Sequence, residues 1–231
     1  MRKSHRLRFV IAAIGLTAAA GLAYAFSSNT PLIGERPKLQ LAELEKKSAP
    51  IPAGVKTEVA TFAAGCFWCV EQDFDKEPGV LKTTPGYTGG FFKNPTYELV
   101  ATGLTGHTEA LQVIYDPKKV SYEQLLTRYW RNVDPTDARG QFCDRGNEYR
   151  PAIFVHSQEQ RKLAEASKEA LEKSGIFKSP IVVKIVDATT FNVAETEHHD
   201  YYLKHPWRNM FYRHGCGRDA RLSQIWSHAG W

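Results

Sequence analysis

Short apolar runs, some of them alternating with polar residues, predict five β-strands in this chain. Thr108–Tyr115 shows the alternation well, because Leu111, Val113 and Tyr115 fall at every second position and so share one face. The run Ile181–Val186 gives the clearest strand signal. The predicted strands are Thr57–Ala63, Gly79–Thr84, Thr108–Tyr115, Ala152–Val155 and Ile181–Val186.

Four segments between or after these strands carry helical signals. Cys66, Val70 and Phe74 recur at a four-residue step, which places them on one helix face. Ser121 and Gln124 have the spacing of a capping box, a mark of a helix start, and the same spacing recurs one helix later. The predicted helices are Cys66–Phe74, Ser121–Asn132, Ser157–Gly175 and Glu195–Leu203.

The mixture of strands and helices, without an internal repeat, predicts a single α+β domain over residues 57–231. Its length is normal for one domain. Turn signals at Pro85-Gly86 and Gly89-Gly90 predict a loop directly after the strand Gly79–Thr84. The Gly- and charge-rich residues 133–150 are predicted to form a second, longer loop.

Residues 1–25 have the character of a targeting segment. They contain four basic residues and no acid, run apolar from Phe9, and end in the small-x-small cleavage pattern Ala23-Tyr24-Ala25. We expect a cleaved signal peptide; the alternative is an uncleaved membrane anchor, because the apolar run is near bilayer-spanning length. The expected location is therefore the periplasm, or the outer side of the membrane that holds the anchor.

The proline- and charge-rich residues 26–56 are predicted to be a flexible tether. The formal net charge of the whole chain is +5. Removing residues 1–25 takes away four of the 30 basic residues and leaves 26 against 25 acidic ones. A nearly neutral mature protein gives no electrostatic basis for binding nucleic acid, and membrane contact is expected only if the anchor stays uncleaved.

Cys66 is the leading candidate for a catalytic nucleophile. It lies where a predicted strand gives way to a helix, so the free N–H groups and dipole of the helix N-terminus should favour its thiolate. Gly65 permits a sharp turn before it. Phe67 and Trp68 follow at once, and two large aromatics beside a nucleophile are typical of a pocket lining.

The spacing of Cys66 and Cys69 allows other interpretations. A C-x-x-C pair is also typical of thioredoxin-like redox sites, of half a zinc site, or of a structural pair in an oxidising compartment. The zinc interpretation lacks a second C-x-x-C, because Cys143 and Cys216 stand alone. For Cys69 itself, a buried and inert thiol is the favoured interpretation.

Four segments, in order, resemble the peptide methionine sulfoxide reductase A family over about residues 57–226. The segments are Gly65-Cys66-Phe67-Trp68, then Gly86-Tyr87-Thr88-Gly89-Gly90 with Asn94-Pro95-Thr96-Tyr97, then Gly106-His107-Thr108-Glu109-Ala110, and last Asp144-Arg145-Gly146 with Tyr149-Arg150. The resemblance implies an α/β sandwich around a mixed sheet with a ferredoxin-like core. It also implies thiol-dependent reduction of methionine (S)-sulfoxide, in proteins or free, without a metal or organic cofactor.

The resemblance assigns roles to individual residues. Cys66 attacks the sulfoxide sulfur, and Glu109 supplies a proton to the oxygen, which requires burial to raise its pKa. Tyr87 and Tyr149 hold that oxygen, and Asp144 supports the site by hydrogen bonding. Phe67 and Trp68 contact the substrate methyl group. A sulfenic acid on Cys66 then condenses with a second cysteine, and a thioredoxin-like dithiol protein reduces the disulfide.

The resolving cysteine is the least determined part of this assignment. Many family members carry Gly-Asn before the aspartate, where this chain has Phe142-Cys143, and many end in a Gly-rich tail. Cys216 is the first choice, because Gly215 and Gly217 beside it should let the segment move toward Cys66. Cys143 is the second choice, and a relay through both is a third possibility.

Two rival functions stay open on the sequence alone. One is an exported thiol-disulfide oxidoreductase that uses Cys66 and Cys69 directly. The other is an exported binding or structural domain held by two disulfides. The binding or structural domain does not explain why two aromatics should lie beside Cys66 together with an acid at Glu109.

Overall fold

The computed structural model describes residues 49–227, and a six-stranded mixed sheet lies at their centre. The sheet order is β7-β6-β1-β3-β2-β8; β6 and β7 are parallel, and the other neighbours are antiparallel. β4 and β5 form a separate small hairpin. The strands are β1 (Glu58–Ala63), β2 (Val80–Thr88), β3 (Thr108–Tyr115), β4 (Gly140–Gln141), β5 (Asp144–Arg145), β6 (Ala152–Val155), β7 (Lys184–Asp187) and β8 (Asn192–Val193).

Helices surround this sheet, and their starts follow local capping chemistry. Ser121 and Gln124 form the full reciprocal capping box. At the next long helix Ser157 accepts from the Gln160 N–H, but the Gln160 side chain accepts from His156 instead. The helices are α1 (Phe67–Phe74), α2 (Tyr97–Val100), α3 (Tyr122–Arg131), α4 (Gln158–Lys173), α5 (Tyr201–Lys204), α6 (Pro206–Gly215) and α7 (Arg218–Trp226), with a 3-10 turn at Asn147–Tyr149.

The main core lies on one face of the sheet, under α1, α3, α4 and α7. Phe62 of β1 is fully buried there. Its ring stacks on Phe74, Tyr122 and Tyr129, with centroid separations of 5.1, 6.2 and 5.3 Å. These contacts hold α1 against β1, so the turn between them, which carries Cys66, is supported from both sides.

The predicted single α/β domain around a mixed sheet is confirmed, and four of its local predictions are corrected. β2 continues to Thr88, so no loop begins at Pro85-Gly86. Position 86 requires glycine because the backbones of β2 and β8 approach closely there. An added Cβ would lie 2.4 Å from the Asn192 carbonyl oxygen on β8. The predicted loop 133–150 contains the β4–β5 hairpin and the 3-10 turn.

The other two corrections concern the last third of the chain. The predicted strand Ile181–Val186 begins only at Lys184, because the N–H of Val182 bonds to the Pro135 carbonyl instead of the sheet. The predicted helix Glu195–Leu203 begins only at Tyr201, because Asp200 has a left-handed backbone with φ of 51°.

The predicted signal or anchor segment, residues 1–25, and residues 26–48 of the predicted tether lie outside the described residues. Between residues 49 and 227, none of the helices combines the length and apolar character that crossing a bilayer requires.

Candidate active site

Cys66 is the N-cap residue of α1. β1 ends at Ala63, and the chain reverses through Gly65, whose φ of 83° favours glycine. A Cβ at Gly65 would lie 2.6 Å from the Cβ of Gln141, so the turn is also closely packed against the β4–β5 hairpin. The predicted position of Cys66 between a strand and a helix is therefore what the structure has.

Glu109 lies directly beside this turn. It is on β3, opposite Tyr87 of β2, and its side chain is only 3% exposed. Its Oε2 accepts a 2.9 Å hydrogen bond from the backbone N–H of Phe67, the first residue of α1. The carboxyl group and Cys66 thus meet at one helix terminus.

Burial raises the pKa of Glu109 to about 8, against an ordinary value of 4.5. The Phe67 N–H opposes this shift, while Asp144, Glu148 and Cys69 add to it. At neutral pH the carboxyl group is mostly protonated. It can therefore donate a proton, as the acid in a proton-transfer step must.

This raised pKa makes a prediction about stability. Between about pH 4.5 and pH 8 the folded chain binds the Glu109 proton more tightly than the unfolded chain does. The stabilising contribution is therefore complete below about pH 4.5 and lost as the pH rises through about 8. Measured by urea denaturation between pH 5 and pH 9, the free energy of unfolding of wild type should fall by on the order of a few kcal/mol relative to that of Glu109→Gln. Equal pH slopes for the two proteins would contradict the shift.

The expected lowering of the Cys66 pKa is wrong for this state of the protein. Cys66 is 5% exposed, and burial raises the pKa of its thiol, with further increases from Cys69, Glu109 and Asp144. The N–H of Phe67 donates to Glu109. Cys66 therefore rests as a thiol, and its proton must leave when it attacks.

The hydroxyls of Tyr149 and Tyr97 lie near Glu109 and Cys66, whereas the predicted pair was Tyr149 and Tyr87. Tyr149 is there as predicted, and its pKa is raised by burial and by the charges of Glu109, Tyr97, Asp144 and Cys66. The Tyr97 hydroxyl lies near the same groups: burial, and then the charges of Glu109, Cys66 and Asp144, raise its pKa to about 12, and the Tyr149 hydroxyl opposes this shift.

Tyr87 has a different partner. It is fully buried, and its hydroxyl donates a 2.8 Å hydrogen bond to Oε2 of Glu195. The other oxygen of Glu195 accepts from the backbone N–H of Tyr97 at 2.9 Å. Tyr87 thus holds the segment that carries Tyr97. Tyr97 lies in the segment Asn94-Pro95-Thr96-Tyr97, which resembles the family, but the resemblance gave it no role.

Aromatic side chains lie next to the site along α1. Phe67 is buried and Trp68 is half-buried. The Trp68 ring lies parallel to Tyr201 with centroids 3.8 Å apart, and its Nε1 donates to Nδ1 of His198 at 3.1 Å. Tyr212 meets the same indole edge-on at 5.9 Å. Trp68 is therefore fixed in orientation from three sides.

Cys143 and Cys216 form a disulfide, and Asp144 lies against it. The two Asp144 carboxylate oxygens are 3.7 Å from the Cys143 sulfur and 3.8 Å from the Cys216 sulfur. Oδ1 of Asp144 also accepts a 2.5 Å hydrogen bond from the Tyr212 hydroxyl. Burial, and then the charges of Cys66 and Asp144, raise the pKa of the Tyr212 hydroxyl, so Tyr212 lies near both the Cys66 thiol and Asp144.

The segment around Cys216 is not the free tail that the glycines predict. Gly215 is the last residue of α6, Cys216 follows it in helical conformation, and Gly217, with φ of 69°, is the N-cap residue of α7. Cys216 therefore lies at a junction between two helices. Tyr212, one turn earlier on α6, is the second site residue that sequence reasoning missed, since nothing in its local sequence sets it apart.

Two groups among residues 49–227 have enough donor atoms close together to be considered for a metal. The first is Cys143, Asp144 and Cys216, whose sulfurs are joined to each other. The second is Glu71, Asp75 and Asp200, where the carboxylates already accept hydrogen bonds from protein groups. In both groups, each member is therefore already bonded to another group of the protein.

Comparison with known proteins decides the family. The sequence profile of the family described as peptide methionine sulfoxide reductase matches residues 58–230. The chain belongs to this family. It is 55% identical over 171 residues to the peptide methionine sulfoxide reductase MsrA of Bacillus licheniformis, a match that covers 74% of this chain and 94% of that protein.

Further relatives agree with the family assignment. The MsrA of Bacillus subtilis is 52% identical over 171 residues, covering 74% of this chain and 97% of that protein. Among solved structures, methionine sulfoxide reductase A of Corynebacterium diphtheriae is 32% identical with a TM-score of 0.58, covering 69% and 87% of the two chains. Reduced Mxr1 of Saccharomyces cerevisiae is 30% identical with a TM-score of 0.62, covering 70% and 92%.

The family assignment predicted from the four sequence segments is thus confirmed. This methionine sulfoxide reductase is an oxidoreductase, and neither the thiol-disulfide oxidoreductase nor the disulfide-held binding domain is favoured. Cys66 and Cys69 are both free thiols, so the chain does not hold two disulfides in this state.

Proposed function

We propose that this protein reduces the S epimer of methionine sulfoxide, in oxidised proteins and as the free amino acid, with Cys66 as the nucleophile. The observation that carries the proposal is the meeting of Cys66 and the buried, protonated Glu109 at the N-terminus of α1. A sulfoxide placed there has a sulfur nucleophile on one side and a proton donor on the other.

The first step requires two transfers. The Cys66 sulfur forms a bond to the sulfoxide sulfur while the Glu109 carboxyl group protonates the oxygen, and Glu109 recovers a proton from the Cys66 thiol. The hydroxyl group then passes from the substrate sulfur to the Cys66 sulfur: the substrate S–O bond and the new S–S bond break, and an S–O bond forms on Cys66. The sulfoxide is thereby reduced by two electrons to methionine, and Cys66 is oxidised by two electrons to a sulfenic acid. Because the resting thiol is protonated, proton transfer and attack must be coupled.

A test of this proposal uses the separate epimers of free methionine sulfoxide with a dithiol reductant. We expect methionine from the S epimer and none from the R epimer, because a fixed nucleophile and a fixed proton donor match one configuration at sulfur. Equal turnover of both epimers would contradict the assignment.

We assign the oxygen contacts to Tyr97 and Tyr149, and assign Tyr87 to positioning. After burial, the charge of Glu109 contributes most to the raised pKa of Tyr97 and of Tyr149, so both hydroxyls lie near it, whereas the Tyr87 hydroxyl is held by Glu195. Phe67 and Trp68 remain the groups proposed to contact the substrate methyl, since they are fixed beside Cys66.

Tyr97→Phe should lower kcat/KM by about 10²-fold, because one hydrogen bond to the developing charge on oxygen is lost. The matched control is Tyr87→Phe, which removes one hydrogen bond to Glu195 and should lower kcat/KM by less than about tenfold. Steady-state kinetics with free (S)-sulfoxide measures both. A larger effect at Tyr87 than at Tyr97 would restore Tyr87 as the oxygen contact.

We propose that a relay through Cys216 and Cys143 regenerates Cys66. Cys216 thiolate attacks the sulfenic acid, forms a Cys66–Cys216 disulfide and releases water; Cys143 thiolate then displaces Cys66 and leaves a Cys143–Cys216 disulfide. That last disulfide is supported by the observed pairing. Cys143 is exposed, so a thioredoxin-like dithiol can reach it and reduce the pair. The scheme needs no metal and no organic cofactor.

Cys216→Ser should lower donor-driven turnover by about an order of magnitude or more, because the sulfenic acid loses its route to an accessible disulfide. Formation of the first methionine should persist, since it depends on Cys66 and Glu109 and not on Cys216. Single-turnover and thioredoxin-coupled assays separate the two steps. Wild-type turnover with the donor would remove Cys216 from the relay.

We propose that residues 1–25 direct the protein out of the cytoplasm, as a cleaved signal peptide or as an uncleaved anchor, and that residues 26–56 tether the catalytic domain. Exported proteins with oxidised methionine are then its expected substrates. Cell fractionation with N-terminal sequencing of the full chain tests this. A protein that starts at Met1 in the cytoplasmic fraction would contradict it.

A further inference from the structure

Four large apolar side chains are exposed on α2 and on the two loops that flank it. They are Phe91 at 80% exposure, Phe92 at 45%, Leu99 at 39% and Leu104 at 79%. Exposing large apolar side chains to water is unfavourable, so several of them in one region mark a surface that a partner covers. We call these four side chains the apolar rim.

The two loops hold the apolar rim in place. The backbone N–H of Phe91 donates to the Thr105 carbonyl at 3.2 Å, which brings Leu104, the residue before Thr105, next to Phe91. The Phe91 ring lies against Gly106, where an added Cβ would come within 2.9 Å of it. The exposed side chains are therefore presented by backbone that is bonded and closely packed.

α2 connects the apolar rim to the active site. Tyr97, the first residue of α2, has its hydroxyl near Glu109. Val100 of the same short helix is buried in one cluster with Phe67. Leu99 lies between them in the chain and is exposed. α2 thus contributes side chains both to the site and to the rim.

The loop between α2 and β3 makes a second connection. Gly103, the residue before Leu104, lies against Glu148, since an added Cβ would be 3.0 Å from its Oε2. Glu148 directly precedes Tyr149, whose hydroxyl is assigned to the sulfoxide oxygen. The same loop leads into β3, which carries Glu109. The apolar rim is therefore continuous with the substrate site.

A methionine sulfoxide within a polypeptide has chain on both sides of it. When its side chain is in the site, the neighbouring residues must lie on the surface around the site, and the apolar rim is part of that surface. Methionine is typically packed among apolar residues, and its oxidation to a polar sulfoxide disrupts that packing. The segments that become exposed in this way are rich in apolar side chains.

We propose that the apolar rim binds apolar side chains next to the oxidised methionine, so that the enzyme favours sulfoxides in exposed apolar segments over those in polar ones. This inference rests on the proposed function, because it concerns the substrate of that same site. Contacts to flanking residues are the same in the bound substrate and in the transition state, so they should lower KM and change kcat little. The favoured substrates are locally unfolded proteins with oxidised core methionines.

The test compares two peptides with a central methionine (S)-sulfoxide, one flanked by Leu and Val and the other by Ser and Gly. Steady-state kinetics with a dithiol reductant gives kcat/KM for each peptide and for free methionine (S)-sulfoxide. The readout is the ratio of the two peptide values, from which a change in the chemical step cancels. Wild type is compared with the double variant Phe91→Ser with Leu104→Ser. The matched control is Trp207→Ser with Phe211→Ser, at residues 66% and 68% exposed on α6.

We expect wild type to favour the apolar peptide by about tenfold in kcat/KM, mostly through KM. This factor corresponds to about 1.4 kcal/mol, less than the full burial of one Phe or Leu side chain contributes. The ratio should fall to near one in the rim variant and keep the wild-type value in the α6 control. A wild-type ratio near one, or equal ratios in all three proteins, would overturn the inference and leave the proposed function intact. Absence of methionine from all three substrates would overturn the proposed function, and this inference with it.

A second copy of the chain is the competing occupant of the apolar rim, and sedimentation equilibrium of wild type and the rim variant tests for it. A dimer that the rim substitutions abolish, together with a peptide ratio that they leave unchanged, would assign the rim to self-association and overturn the inference. Circular dichroism checks the folding of the variants. The wild-type ratio is measured without any variant, so a poorly folded variant does not remove the test.

Discussion

Replacing Cys66 by Ser should abolish methionine sulfoxide reduction and leave the fold intact. The hydroxyl group keeps the size and the polarity of the thiol at the α1 N-cap, where Ser is a preferred residue, so stability should change by less than about 1 kcal/mol. A serine oxygen cannot form the sulfenic acid through which two electrons pass to the sulfoxide. Methionine release in a single-turnover assay measures the effect.

The control for this variant is its unfolding curve, which should match wild type in midpoint and slope. If Cys66→Ser folds normally and still releases methionine at a rate near wild type, another group carries the attack. In that case the meeting of Cys66 and Glu109 would have no catalytic meaning.

Glu109→Gln should lower the rate of methionine formation by about 10²–10⁴-fold. The amide fills the same space and can still hydrogen-bond, but it cannot give a proton to the sulfoxide oxygen or take one from the Cys66 thiol. The affinity for substrate should change little by comparison, because the lost interaction belongs to the transition state.

Glu71→Gln is a matched control, since it places the same amide at another buried glutamate. Glu71 is 1% exposed, lies one turn after Phe67 on α1, and accepts hydrogen bonds from the Asp200 N–H and from Thr83. Its effect on the rate should be far smaller. Similar losses at the two positions would mean that Glu109 matters for packing alone.

The sequence predicted those elements whose cause is local. The Ser121 capping box, the alternation in Thr108–Tyr115 and the strand-to-helix turn before Cys66 all appear in the structure where the pattern places them. Each depends on residues within one turn or one strand. The same reasoning failed at Gly86, because its small size serves β8, which is about a hundred residues away in the chain.

The electrostatics of the site could not be predicted in the same way. The helix terminus suggested a lowered pKa for Cys66, but burial among Cys69, Glu109 and Asp144 raises it. Those neighbours come from separate segments, and only the folded chain brings them together. The raised pKa of Glu109 was predicted because the family resemblance gives this residue the role of an acid. No local sequence pattern indicates it.

The tyrosines and the C-terminal cysteine show the same limit. Tyr87 and Tyr97 both lie in segments that resemble the family, so the sequence does not distinguish their roles. Only the fold shows that Glu195 holds the Tyr87 hydroxyl and that the Tyr97 hydroxyl lies beside Tyr149. The glycines around Cys216 suggested a mobile tail, yet α6 and α7 continue on both sides. Which cysteines pair was left open by the sequence, and the structure joins Cys143 with Cys216.

The central claim is that a neutral carboxylic acid stands beside the Cys66 thiol, and infrared difference spectroscopy of wild type against Glu109→Gln tests it most directly. The account predicts a protonated carboxyl stretch at pH 7 that disappears in the variant and titrates with a midpoint at about 8. A Glu109 that is already ionised at pH 7, with a midpoint near the ordinary 4.5, would contradict it.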